Sequence, residues 1–420
     1  MASSPKYKSL RGMPDLVSED AASLRWIEEK AREVFQLFGF KEIETPILEE
    51  TGVFTRSIGE DTDIVEKEMY SFTDRGGKNI SLRPEGTAPI IRAYIEHSLY
   101  NDSDLVKLFY SGPMFRGERP QKGRLRQFHQ IGAEVIGTVD PFLDAELILN
   151  LDAFLKRIGV SGFTVLINSI GCAKDRSGYK KALKTFLDKN SGTLCEDCKR
   201  RSRTNVLRVL DCKQKSCKDV LKGAPSILES LCGSCMNDYE KLKNILSETG
   251  INFREKTDLV RGLDYYTNTI FEVIHPSLGA QDAIAAGGRY DNLTKQMGGP
   301  DVGATGYAVG VERLLLIVDK KNIPSQESGV LVIPIDDNSR AKTFEVADAL
   351  RASGIPSEMA PPGKSLKGQM RRAHKEAREY VIIIGGDEIK SGELLLKNME
   401  SGEQQKLTVE KIIDELKAKR

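Results

Sequence analysis

Apolar side chains fall at helical spacing over residues 20–39, at Leu24, Ile27, Ala31, Val34, Phe35 and Phe38. Gly39 follows, where the end of a helix favours a residue free to take positive φ. The next stretch, KEIETPILEE, alternates instead, with Ile43, Thr45 and Ile47 in every second place as in a strand. Pro46 has no amide to give a central ladder, so this strand is expected at an edge or an interface. Segments 105–116 and 125–137 predict two antiparallel strands joined by a loop. From Ile170 the pattern changes: cysteines, lysines and arginines crowd residues 172–235, and an amphipathic helix is predicted near 236–248. Strand periodicity returns at LDYYTNTIFEVI and again at TGYAVGVERLLLIV, where a strand runs on into a helix. The middle segment therefore reads as an insertion into a mainly antiparallel unit.

After the polar connection KNIPSQES come GVLVIPID, helices near 338–353 and 364–378, YVIIIGGDEI and GELLLKN. Strand–helix alternation of this kind predicts a small α/β domain with helices on a mixed sheet. The expected fold is an α+β domain built on an antiparallel β-sheet with flanking helices, over residues 1–170 and 256–325. A Cys-rich insertion domain is expected at 171–255 and the α/β domain at 328–420.

Composition narrows the partners more than the fold. The 420 residues are 40% hydrophobic and 29% charged, as in ordinary globular proteins. A net charge of +1 means that any nucleic-acid surface must be local. No apolar run is long enough for a bilayer, and MASSPKYKSLRGMPD lacks the apolar centre of a secretory signal. A cytoplasmic, reducing compartment is expected, in which the seven cysteines form no disulfides.

The predicted hairpin carries polar residues where a core wants apolar ones. On its second strand Phe128, Gln130, Gly132, Glu134 and Ile136 share a face; on its first, Tyr110, Gly112, Met114 and Arg116 do. If the two faces coincide, Arg116, Gln130 and Glu134 converge over a floor that Gly112 and Gly132 leave uncovered, room for a ligand. Arg116 can grip a phosphate with two donors, and Glu134 can take a cation or a ring N–H. A solvated sheet face with a charged tip is the plainer reading of the same pattern.

Four further motifs weigh against that plainer reading. SLRPEGTAPIIRAYIEH sets Arg83, Glu85 and Thr87 in a turn before an amphipathic helix, where side chains and amides can meet an amine. VRGLDYYTNTIFEV opens with Arg261 beside two tyrosines, and AAGGRYDNL sets two glycines before Arg289 as a close backbone approach requires. TGYAVGVERLLL puts Arg313 just inside a helix.

In this order the motifs resemble the histidyl-tRNA synthetase family of class II aminoacyl-tRNA synthetases, over essentially the whole chain. FGFKEIETPILEE resembles class II motif 1, at the dimer interface. MFRGERPQKGRLRQFHQIGAEVIG resembles motif 2 and GATGYAVGVERLLL motif 3, while RGLDYY and AAGGRYDNL resemble the signatures that mark the histidine enzymes. The resemblance implies that L-histidine and ATP give histidyl-adenylate and pyrophosphate, and that the histidyl group then passes to tRNA(His), releasing AMP. It implies that Glu85, Gly86 and Thr87, with Gln130, hold the α-amino group, and that Glu134 and the Tyr265–Tyr266 pair, Tyr266 foremost, read the imidazole. Arg116 and Glu118 would face ATP, Arg116 on the α-phosphate, with Arg313 at the far end of the triphosphate. Arg261 would be the catalytic cation at the α-phosphate, and Mg2+ is expected on the outer phosphates. Between Arg116 and Arg126 lie five basic side chains against one acid; of these, Arg119, Lys122, Arg124 and Arg126 would reach the tRNA acceptor stem. The C-terminal domain resembles an anticodon-binding domain, its QMRRAHKEAR helix offering a basic face. A homodimer is implied as well. A non-catalytic paralogue, such as a regulatory subunit of ATP phosphoribosyltransferase, would lack that domain and commonly the arginine of RGLDYY; this chain keeps both.

Six cysteines fall in CEDC, CKQKSC and CGSC. The knuckles Cys195/Cys198 and Cys232/Cys235 have the bite of a tetrahedral, structural Zn2+ site, with Cys212 and Cys217 as replacements for one knuckle. Cys172 stands apart and is expected in the core.

Overall fold

A computed structural model describes residues 7–59, 62–279, 282–324, 329–361 and 364–419. The chain divides into two units, Met1–Pro324 and Ser325–Arg420. The connection KNIPSQES straddles the division; its last four residues, including the expected domain start at 328, lie outside the described residues, as do the first six of the chain.

The first unit is organised on an eight-stranded sheet. Its strands are β1 (Lys41–Glu42), β2 (Val106–Phe115), β3 (Gln127–Gly137), β4 (Thr164–Ser169), β5 (Phe253–Glu255), β6 (Thr267–Ile274), β7 (Ala283–Arg289) and β8 (Gly303–Gly310). They lie in the order β1-β2-β3-β8-β7-β6-β4-β5. Every pair from β2 to β4 is antiparallel, and only the edge pairs β1–β2 and β4–β5 are parallel. Period-two alternation sorts the faces. Phe109, Ile131, Val135, Phe271 and Tyr307 turn to the helices α1 (Glu19–Leu37) and, after α2 (Thr87–Glu96), α3 (Pro141–Arg157). There the rings of Phe35 and Phe109 stack at 4.8 Å. The alternate residues Leu108, Tyr110, Met114 and Ile270 turn to the opposite face, beside Ile90, Ile91 and Tyr94 of α2.

The strand expected over 41–50 is broken in two. β1 takes the sheet edge, while Leu48–Glu50 joins a separate three-stranded sheet with Ser71–Thr73 and Asn79–Leu82. At the break, the Thr45 carbonyl accepts from Arg83 Nη1 at 2.8 Å rather than from a neighbouring strand.

The insertion builds its own small core. Helices α4 (Ala173–Lys189), α5 (Glu196–Thr204) and α6 (Lys215–Leu221) gather Tyr179, Leu183, Leu187, Val209, Cys198 and Cys217. Its expected range, 171–255, overreaches that core. Helix α7 (Gly233–Glu248) gives Tyr239, Leu242 and Leu246 to the main core, and β5 pairs with β4. β8 runs directly into the short helix α8 (Val311–Leu314), as its pattern predicts.

In the second unit β9 (Val330–Pro334), β10 (Ser357–Met359), β11 (Tyr380–Ile384), β12 (Leu394–Asn398) and β13 (Gln404–Leu407) form a mixed sheet ordered β10-β9-β11-β12-β13. Helices α9 (Arg340–Ala352), α10 (Leu366–Lys375) and α11 (Val409–Ala418) complete it. The basic face expected on α10 is partly neutralised: Arg372 and Arg378 both pair with Glu358 and with Glu376. No helix among the described residues is long and apolar enough to cross a membrane.

Candidate active site

The hairpin register pairs Gly112 with Gln130, Tyr110 with Gly132 and Leu108 with Glu134, so the two polar faces do coincide. The floor between them is not open. A β-carbon at Gly132 would overlap the Tyr110 ring, as would one at Gly86, and one at Gly112 would meet the Arg83 guanidinium. These glycines make room for the protein's own buried side chains. Arg83 is correspondingly held from all sides, donating to the Pro113 and Thr45 carbonyls at 2.9 and 2.8 Å.

The entrance to α2 supplies the next layer. The first amides of a helix have no partner within it, and here the Glu85 carboxylate accepts from Thr87 N at 2.7 Å and Ala88 N at 2.9 Å. Thr87 Oγ1 donates in turn to Glu134 Oε1 at 2.7 Å, and the Tyr290 hydroxyl donates to Glu134 Oε2. Burial pushes the Glu134 carboxyl up to about 8, opposed by those two hydroxyls and reinforced by Glu85. Glu134 therefore lies behind the cleft wall, whereas Thr87 and Tyr290 stand on it. Space for it comes from Gly306, its register partner on β8, where any β-carbon would collide with the carboxylate.

Beside this layer lies a cleft of about 280 Å³ lined by Glu85, Thr87, Arg116, Glu118, Gln130, Arg261, Tyr265, Tyr266 and Arg313 among others. Gly86 and Glu134 are the two expected amino-acid contacts that do not line it. Arg116 donates from Nε to the Pro84 carbonyl at 2.8 Å, and its guanidinium lies 5.3 Å from the Phe128 ring centroid. Arg313 is steadied by the carbonyls of Gly123, at 3.3 Å, and Ala283. Arg261 donates from Nη1 to Glu272 at 2.8 Å, yet its buried Nε finds no protein acceptor, and neither does Gln130 Oε1 find a donor. Unmatched buried polar atoms on a cleft wall call for a polar occupant. The Tyr265 ring packs 4.8 Å from Tyr266 and 5.6 Å from Tyr290, centroid to centroid. Tyr290 and Glu272 also line the cleft, although no motif singles them out and each sits inside one. Their signal was adjacency, Tyr290 to Arg289 and Glu272 five residues after the tyrosine pair's strand begins.

The basic loop divides. Arg119 and Lys122 are exposed with no ion pair among the described residues. Arg124 instead lines the cleft and pairs through Nε with Glu118 at 2.8 Å. Arg126 is tied inward, its Nε to the Glu118 carbonyl at 3.1 Å and its amide to the Gly12 carbonyl at 2.7 Å. Arg119, Lys122 and Arg124 are thus exposed, three of the four residues expected to reach outward, and Arg126 alone of them is tied inward.

The expected zinc ligands are also redistributed. Cys195 and Cys198 cluster with Cys212 and Cys217, while Cys232 and Cys235 cluster with Cys172 and Asp175. The two knuckles therefore do not share a site: α5 and α7, whose N-termini carry them, belong to different cores. Cys172, expected in the core, is instead partly exposed.

The family profile described as histidyl-tRNA synthetase matches residues 12–314. The chain belongs to that family. The profile of the anticodon binding domain matches residues 329–419, nearly all of the second unit. Histidine–tRNA ligase of Halothermothrix orenii is 48% identical over 413 residues, covering 97% of this chain and 98% of the relative. That of Thermodesulfovibrio yellowstonii is 46% identical, covering 99% of each. Among solved structures, S. aureus histidyl-tRNA synthetase superposes with a TM-score of 0.81 at 32% identity, over 97% of this chain and 99% of that one. The histidyl-tRNA synthetase assignment thus spans both units.

Proposed function

We propose that this chain joins L-histidine to ATP as histidyl-adenylate, releasing pyrophosphate, and then transfers the histidyl group to the terminal ribose of tRNA(His), releasing AMP. The observation that carries this reading is the pairing, across one cleft, of a guanidinium with an unmatched N–H and a polar pocket of Glu85, Thr87 and Gln130, whose Oε1 is likewise unmatched. Glu85, Thr87 and Gln130 take the α-amino group of histidine. Tyr266 meets one ring nitrogen, and the Thr87 and Tyr290 hydroxyls, which line the cleft in front of Glu134 and are oriented by its carboxyl, meet the other. Polar partners for both nitrogens disfavour any apolar side chain, which would leave them unpaired.

A carboxylate oxygen of histidine attacks the α-phosphorus, and the bond to the pyrophosphate leaving group breaks. Arg116 and Arg261 hold the negative charge that builds up there, and Arg261 does so without a proton to lose. Arg313 meets the outer phosphates. Glu118 and Glu272 are the oxygen ligands on the wall that would hold Mg2+, a hard cation that neutralises phosphate charge. Arg119 and Lys122 reach the acceptor stem, and the second unit meets the anticodon. The edge position of β1 supports a homodimer through that region, and a cytoplasmic location fits reduced cysteines.

ATP–pyrophosphate exchange with a panel of amino acids tests the reading. Exchange that requires histidine is expected; absence of exchange with every amino acid would overturn it.

A further inference from the structure

We propose that Cys195, Cys198, Cys212 and Cys217 form a zinc site, and that the bound ion fixes the turn through which the insertion grips the Arg261 loop. The four sulfurs all lie within 4.8 Å of one another. Zinc bound at about 2.3 Å to each of four thiolates sets the sulfurs roughly 3.8 Å apart, and Cys195 Sγ and Cys212 Sγ are 3.9 Å apart. Disulfide bonding would need about 2.05 Å, and all four thiols are free. The Cys195 amide already points at Cys217 Sγ, at 3.2 Å, as amides do around metal-bound thiolates.

The site also answers a packing problem. The insertion core is small and counts Cys198, Cys212 and Cys217 among its own buried members. A core of that size rarely holds a fold without a staple. Binding exchanges four S–H bonds for four Zn–S bonds and sends four protons to solvent, leaving a centre of net charge −2. Lys213, Lys215 and Lys218 stand beside the ligands in sequence to offset it, while Lys199 and Arg200 pair with Glu196 and Asp197. The second cluster is differently committed: Asp175 accepts from the Cys172 amide at the start of α4, and the Cys235 thiol lies 3.4 Å from Asn268 Oδ1 as a donor.

The consequence lies between ligands Cys198 and Cys212. Asn205 donates to both oxygens of Asp264, at 2.9 and 3.1 Å, three residues beyond Arg261. Arg201 and Arg208 pair with Asp63 at 3.2 and 3.5 Å. Both ends of this gripping segment are zinc ligands, so the ion sets where the grip falls.

Metal analysis of the full chain, purified in reductant without added metal, should find about one zinc per chain. Cys212→Ser and Cys217→Ser should each lose it. Less than about half an equivalent in the unaltered chain, or zinc kept by Cys212→Ser and lost by Cys232→Ser, overturns the site. Because a serine variant can fail to fold, cobalt exchanged into the unaltered protein gives a second reading. Sulfur-to-cobalt charge transfer with strong tetrahedral bands is expected, and their absence overturns the site. Hydrogen exchange reads the grip: stripping zinc should raise exchange about tenfold across residues 258–266. Unchanged exchange there, with faster exchange across 195–217, would overturn the link to the Arg261 loop.

Discussion

Arg289 and Arg261 stand in similar sequence settings, one after a glycine pair and the other before a single glycine, yet they do opposite things. The Arg289 side chain is 3% exposed and every nitrogen is used: Asp291 and Asp144 pair with it, and the Thr138 and Asp140 carbonyls take its remaining donors. The Arg261 side chain is 22% exposed, has one carboxylate partner, and keeps an unmatched Nε toward a cleft. Burying a cation is costly unless it is paired and hydrogen-bonded. A fully satisfied arginine is therefore a structural device, and a half-satisfied one at a cleft is reserved for a ligand. Arg83 falls on the structural side of this division, although its motif placed it with Glu85 and Thr87.

The comparison can be broken at several points. Arg289→Met strands Asp144, which is 1% exposed, in the interior. Removing one partner of a buried pair costs about 3–5 kcal/mol, so the urea midpoint should fall steeply; a loss below about 1 kcal/mol would place Arg289 with the functional arginines. Gly132→Ala drives a β-carbon into the Tyr110 ring and should cost about 1–3 kcal/mol. Tyr110→Ala in the same chain should recover part of that loss, and strict additivity of the two changes would show that the ring is not what the glycine accommodates. Lys122→Ala should lower the salt slope of tRNA binding by about one without touching adenylation. An unchanged slope removes that lysine from the interface. A further prediction concerns pH. Glu134 holds its proton in the folded chain up to about 8, above its usual range near 4.5, so folding binds protons between those values. Its contribution to stability is fully present below the lower value and declines as pH rises toward the upper one. Glu134→Gln should flatten stability across that window, and an undiminished decline in the variant would assign the slope to other groups.

Periodicity was enough for the large elements. α1, the hairpin β2–β3 and the β8–α8 junction follow directly from apolar spacing, because each buries a face long enough to repeat. Short or polar elements left no such trace: β10 and β13 are three and four residues long, and β13 reads QQKL. The break between β1 and Leu48–Glu50 was hidden because Arg83, distant in sequence, takes the Thr45 carbonyl. Within the site, residue identities were legible from the motifs, but what each glycine accommodates was not. Gly112 and Gly132 read as clearance for a ligand and prove to be clearance for Arg83 and Tyr110. The cysteine spacing gave two plausible knuckles, and only the fold could show that they belong to different cores.

The division between satisfied and reserved arginines is tested most directly by Arg261→Ala, measured for histidine-dependent ATP–pyrophosphate exchange alongside histidine binding and urea stability. Losing a preorganised charge at the reacting phosphate should lower the exchange rate by about 10²–10³. Histidine affinity should be largely kept and stability should stay within about 0.5 kcal/mol. A variant that exchanges at the normal rate, or whose main defect is lost histidine binding or an unfolding loss like that of Arg289→Met, would contradict the role assigned to Arg261.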